Sequence, residues 1–144
     1  MDAYREGEAA RAAKIASAHL VVQNGIVGSG IHLLVDIYEI SNRQMLTDAN
    51  YIEGVLRAAA GEAKATVEAC LLKPFPGGGV AGVLVLSESH ISIHTWPEFG
   101  YAAIDIFMCG STEPYKAVRY IGEACAGWLE YKEVLRGNIL AKYL

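Results

Sequence analysis

Between residues 80 and 108 the chain strings together three stretches whose patterning points to β-structure. Val80 to Leu86 is almost wholly apolar, as expected of a strand buried on both faces. Residues 90–96 and 101–108 then alternate in the manner of paired strands, with a turn between them at Pro97–Gly100. A chain built on such a segment must supply further strands to complete a sheet and helices to cover it.

The flanking sequence supplies both. Ile31 to Ile40 is rich in branched residues and reads as the first strand; residues 64–73 read as a second, and Pro74–Gly79 as a loop. Between the first two strands a helix is expected, capped by Thr47 or Asp48, with an apolar face of Ile52, Val55, Leu56 and Ala59 and an end at Gly61. Pro114 opens another helix, with Val118, Ile121, Cys125 and Trp128 on its face, and a short last strand is expected over residues 132–139. This order predicts an α+β fold, a two-layer sandwich of an antiparallel sheet with helices on one face. The other sheet face then needs a cover, so the protein is expected to dimerise into a four-layer α/β/β/α arrangement.

Residues 1–29 form an N-terminal extension ahead of the domain at 30–144. Its alanine-rich stretch, residues 2–22, is expected to be a helix docked on the domain or its partner, and Gly25, Gly28 and Gly30 a hinge or turn. No repeat or low-complexity linker marks a second domain.

With 144 residues, 53% of them apolar, one domain with a real core is expected. A net charge of −4 with no basic run gives nucleic acid no electrostatic footprint. No apolar run approaches the roughly 20 residues of a membrane helix, and the acidic start does not read as a secretory signal. Cys70, Cys109 and Cys125 make neither a CxxC pair nor an even set, which favours a reducing cytoplasm over a disulfide framework or a zinc site.

The chemistry-bearing residues cluster directly after the apolar strand, in Ser87-Glu88-Ser89-His90 and on to His94, Glu98, Asp105 and Cys109. Polar groups there need partners or a task. Three bland or competing readings apply. Ser89 could cap a turn, His94 could be a satisfied half-buried histidine and Cys109 a small core residue. Ser89, His94 and Asp105 could form a hydrolase triad, although no GxSxG elbow accompanies them. His90 and His94 have the spacing of metal ligands on a helix, but their neighbours read as strand.

Taken together, Glu88-Ser89-His90 with Ile93-His94-Thr95-Trp96-Pro97-Glu98, followed by Gly100-Tyr101-Ala102-Ala103-Ile104-Asp105-Ile106-Phe107 and Cys109-Gly110, resemble the signature of the bacterial and archaeal S-adenosylmethionine decarboxylase proenzymes. The resemblance covers residues 30–139. It extends through Gly30-Ile31-His32-Leu33-Leu34-Val35-Asp36, which is similar to the family's first strand, and through the glycine-rich loop Phe75–Gly82. It implies self-cleavage between Glu88 and Ser89: the Ser89 oxygen attacks the Glu88 carbonyl, and elimination leaves a pyruvoyl group at the head of residues 89–144. It implies His94 as the base for processing and Cys109 as the proton donor in decarboxylation. The pyruvoyl cofactor would take the substrate amine as a Schiff base and act as an electron sink. Phe75 would stack on adenine and Glu98 would accept the ribose hydroxyls. The function so implied is decarboxylation of S-adenosylmethionine for polyamine (spermidine) synthesis, by a cytoplasmic homodimer of two-chain protomers, with no metal, nucleic acid or membrane partner.

The family's loop serine, which assists processing, is replaced here by Ala81. One donor at the cleavage site is then missing; Ser87 or a water takes over, or maturation is slow or blocked. Two alternatives follow. Other pyruvoyl enzymes of the superfamily act on arginine or ornithine, for which Glu98, Asp36 and Glu39 are candidate partners of a distal cation. A processing-dead paralogue could instead serve as a regulatory subunit.

Overall fold

The computed structural model describes residues 21–23, 26–28 and 30–137. Strands β1 (Val21–Gln23) and β2 (Ile26–Gly28) form a small antiparallel hairpin. The helix expected over residues 2–22 lies outside the described residues, except at Val21 and Val22, which are extended. The sequence explains the difference: Val21-Val22 and Ile26-Val27 are β-branched pairs, which favour strand over helix.

The main sheet contains β3 (Gly30–Tyr38), β4 (Val67–Pro74), β5 (Val80–Leu86), β6 (Ser89–Trp96), β7 (Tyr101–Cys109) and β8 (Trp128–Arg136). Every pairing is antiparallel, and the strand order is β4-β5-β6-β7-β3-β8. Helices α1 (Gln44–Thr47) and α2 (Ala49–Glu62) follow β3, and α3 (Pro114–Cys125) follows β7. This is the expected α+β architecture, one antiparallel sheet with helices on one face.

Register keeps the alternating strands in phase. Ile106 lies opposite both Ile91 and Leu33, and Ile104 opposite Ile93 and Val35, so inward-facing side chains form rows across three strands. Against these rows pack Ile52 and Leu56 of α2 and Ile121 of α3, all buried. Each such side chain contributes roughly 1.5–3 kcal/mol by leaving water. Asp48 caps α2 by accepting the Tyr51 N–H at 3.1 Å, and the expected face of Ile52, Val55, Leu56 and Ala59 is buried.

Three expectations change. The helix opened by Pro114 buries Val118, Ile121 and Cys125 but ends before Trp128, because Ala126 turns left-handed at φ 51°. Gly127 then passes so close to β3 that a Cβ would lie 2.4 Å from the Tyr38 carbonyl oxygen. Trp128 therefore opens β8, which starts four residues before the expected strand. Strand β5 is not buried on both faces: Val80, Leu84 and Leu86 face the helices, whereas Val85 is 42% exposed.

That exposure belongs to a whole uncovered face. Leu34, Leu71, Val85, Trp96, Trp128 and Val134 all point away from the helices and are all exposed. A row of aromatic rings crosses the same face, with centroids 5.4 Å apart from Trp128 to Tyr38, 5.2 Å from Tyr38 to Tyr101 and 5.2 Å from Tyr101 to Trp96.

The buried Thr95 ties the end of β6 to its surroundings. Its hydroxyl accepts the Val80 N–H at 2.8 Å and donates to the Leu46 carbonyl at 2.6 Å. Thr95→Val keeps the shape but leaves both backbone groups unpaired. It is expected to cost about 1–3 kcal/mol, measured as a lower denaturant midpoint at unchanged slope. Thr95→Ser should recover most of the loss.

Candidate active site

Ser87 and Glu88 form the two-residue connection between β5 and β6, and Ser89 is the first residue of β6. Ser89 has φ 149°, a conformation that L-residues rarely adopt. The carbonyl before it is held from the neighbouring strand. The Cys109 backbone N–H donates to the Glu88 oxygen at 3.2 Å and the Cys109 thiol donates at 3.0 Å. Two donors on one carbonyl form a preorganised oxyanion site. It surrounds the peptide bond that a Ser89 hydroxyl could attack, so the residues present fit the formation of a pyruvoyl group from Ser89.

The second group of residues lies at the far end of the same strands. A cavity of about 610 Å³ is lined by Phe75, Gly77, Ala81, His94, Trp96 and Glu98, among others. The loop that walls it is closed by Phe75 N–H to the Gly79 carbonyl at 2.7 Å and turned by Gly77 and Gly78, with φ of 98° and 100°. Phe75, Trp96 and His94 thus offer flat surfaces beside the Glu98 carboxylate. Of the three carboxylates weighed for a distal cation, Glu98 alone lines the cavity. Asp36 accepts the hydroxyl of Tyr101, whose ionisation burial and that bond push up to about 12, and Glu39 is exposed at the end of β3.

The two groups do not meet within one chain. His94 lies five residues beyond Ser89 on β6 and directly opposite Ala81 on β5; at about 3.3 Å per residue, that is roughly 16 Å along the strand. Ser89, Glu88 and Cys109 sit together at one end, and Phe75, Ala81, His94 and Glu98 at the other. The same spacing removes the hydrolase triad. Asp105 bonds His32 Nε2 at 2.9 Å and lies 3.4 Å from the Ser92 hydroxyl, and is not a partner of His94. His90 and His94, four residues apart on a strand, stand roughly 13 Å apart and share no ion. Burial and the neighbouring His32 lower the pKa of His90.

A sequence profile described as S-adenosylmethionine decarboxylase matches residues 31–137. The chain is 43% identical over 110 residues to the S-adenosylmethionine decarboxylase proenzyme of Syntrophomonas wolfei, covering 75% of this chain and 86% of that one. It is 42% identical over 117 residues to the proenzyme of Pelotomaculum thermopropionicum, covering 80% and 92%. The chain belongs to the S-adenosylmethionine decarboxylase family. The crystal structure of the adenosylmethionine decarboxylase from Aquifex aeolicus superposes with a TM-score of 0.70 at 33% identity, over 76% of this chain and 92% of that one.

For a decarboxylase proenzyme of this family, the surroundings of the junction add residues that sequence reasoning did not select. Thr66 and Glu68, ahead of and within β4, both bond the Ser87-Glu88 turn, and His32 pairs with Asp105 from 73 residues away. No local pattern announces such contacts. If Cys109 holds the scissile carbonyl, Cys109→Ala should slow chain cleavage on the order of 100-fold, the cost of one oxyanion donor. Cys109→Ser should restore part of it, read from a time course on denaturing gels.

Proposed function

We propose that the chain is a self-cleaving, pyruvoyl-dependent decarboxylase of S-adenosylmethionine that works as a homodimer and supplies the aminopropyl donor for spermidine synthesis. The observation that carries this reading is the Glu88 carbonyl, gripped by the Cys109 N–H and thiol directly before a serine at positive φ. Once formed, the pyruvoyl group supplies a carbonyl for the substrate amine and a sink for the electrons released with carbon dioxide.

The chain's own residues do the rest. Cys109 already lies at the junction, so its thiol is at hand to deliver the proton that replaces carbon dioxide. Phe75 presents a face to adenine and Glu98 accepts ribose hydroxyls, while Trp96 shares the cavity wall and suits the sulfonium charge. The His94 imidazole takes the Ser89 α-proton during maturation. Residues 30–144 carry this chemistry, with 1–29 as an extension outside it. A cytoplasmic location suits three unpaired cysteines, and no described helix is long and apolar enough to cross a membrane.

Distance makes the second copy part of the reaction. His94 cannot reach Ser89 of its own chain across roughly 16 Å. Two copies packed through their uncovered sheet faces about a twofold axis bring the His94 end of one β6 against the Ser89 end of the other, in the aligned mode of sheet-on-sheet packing. The four-layer α/β/β/α dimer then has two complete sites, each drawn from both chains. It also covers Leu34, Leu71, Val85 and Val134, and it puts Ala81, in place of the family serine, beside the partner's junction rather than its own.

Two measurements test this. Labelled carbon dioxide should be released from S-adenosylmethionine and not from arginine or ornithine at equal concentration; the reverse would replace the substrate while leaving the pyruvoyl chemistry. Ser89→Ala and His94→Ala should each be inactive alone, yet proteins co-expressed from both should recover activity, up to about a quarter of wild type, because one hybrid site per mixed dimer is intact. No recovery at all would mean that the two groups do not meet across a dimer.

A further inference from the structure

We propose that the Glu88 side chain is a positioning residue for self-cleavage, clamping the scissile peptide to the edge strand so that its carbonyl stays on the Cys109 donors. The inference rests on the proposed self-cleavage and assigns a role to a carboxylate that neither the backbone chemistry nor substrate binding uses.

A two-residue hairpin connection favours mirror-image turns, in which one or both loop residues take positive φ; glycine and asparagine serve there. The connection here is Ser87-Glu88, and neither residue has positive φ. The rare conformation falls instead on Ser89, the residue that carries the nucleophile. Nothing in the turn's own composition favours that arrangement, so contacts from outside must hold it.

Those contacts converge on Glu88. Its carboxylate accepts the Thr66 backbone N–H at 3.0 and 3.2 Å. The Ser87 N–H donates to the Thr66 carbonyl at 2.9 Å, and the Ser87 hydroxyl bonds the Glu68 carboxylate. On the other side, Cys109 holds the Glu88 carbonyl. The residue is thus fixed at its side chain by the segment leading into β4 and at its carbonyl by β7. Two anchors on opposite sides stop the Glu88–Ser89 peptide plane from rotating. In the first step of cleavage the Ser89 oxygen bonds the Glu88 carbonyl carbon, the C–N bond breaks, and the hydroxyl proton passes to the freed nitrogen. With the carboxylate removed, the peptide turns off its donors, Ser89 relaxes, and this acyl shift slows.

The test follows cleavage of freshly purified full-length proenzyme on denaturing gels, with circular dichroism to verify the fold. Glu88→Ala should cleave about 10- to 100-fold more slowly, the range for losing a charge-assisted hydrogen bond. Glu88→Gln, which keeps an acceptor for Thr66, should stay within severalfold of wild type. Glu88→Asp, one methylene short, should be slow; it carries the test if the alanine variant does not fold. Hydroxylamine cleaves an accumulated ester, so it should not restore fragments in the slow variants, because the block precedes the ester. Wild-type cleavage by Glu88→Ala, a glutamine variant as slow as alanine, or recovery with hydroxylamine overturns the inference. An uncleaved wild type instead takes down the proposed function with it.

Discussion

The contact between the Cys109 backbone and the Glu88 carbonyl is where the fold meets the proposed chemistry, and it exists because β6 and β7 pair in one register. That register sets Ser89 opposite Met108, which brings the next residue, Cys109, under the carbonyl before Ser89. A slip of one residue would turn the inward isoleucines to solvent and carry Cys109 away from the junction together. The core rows of Ile91, Ile93, Ile104 and Ile106 therefore specify the geometry of the proposed cleavage site as well as holding the sheet on its helices. The close Gly127–Tyr38 approach and the Thr95 bonds finish the frame at the opposite end.

The sheet's length governs the other half of the site. A strand of eight residues separates its two ends by far more than a hydrogen bond spans, and the groups proposed for the chemistry stand at both. An uncovered face with exposed Leu34, Leu71, Val85 and Val134, crossed by a row of stacked rings, would supply both a reason for association and a means of joining the ends in the proposed dimer. In the proposed dimer, the energetic cost of leaving those exposed apolar side chains wet and the chemical need for a second set of groups point the same way. For the proposed enzyme, maturation and turnover would then depend on association.

Much of this was legible in the sequence because strand alternation and helix caps are local. Asp48 announces α2, the period-two pattern announces β6 and β7, and the helical stripe of Val118, Ile121 and Cys125 is real. Trp128 misled because it continues that stripe by spacing alone. The helix instead stops at Ala126, where chain reversal against β3 decides the matter, and that is a tertiary constraint. The apolar run of β5 reads the same whether its second face meets a helix or another chain. At the site, the motif named Ser89, His94, Glu98 and Cys109, but spacing in a motif does not tell which of them share an end of a strand. The Thr66–Glu88 and His32–Asp105 contacts join residues 22 and 73 positions apart, and no local pattern carries such information.

The claim at the centre is that this chain cuts itself before Ser89 and turns that serine into its cofactor. Intact-mass spectrometry of the purified protein under denaturing conditions, with and without a carbonyl-reactive hydrazine, reads this directly. Two chains divided between residues 88 and 89 are expected, with the second lacking a free amine and gaining the mass of one hydrazone. A single uncut chain, or fragments whose second member begins with an unmodified serine, would contradict the account.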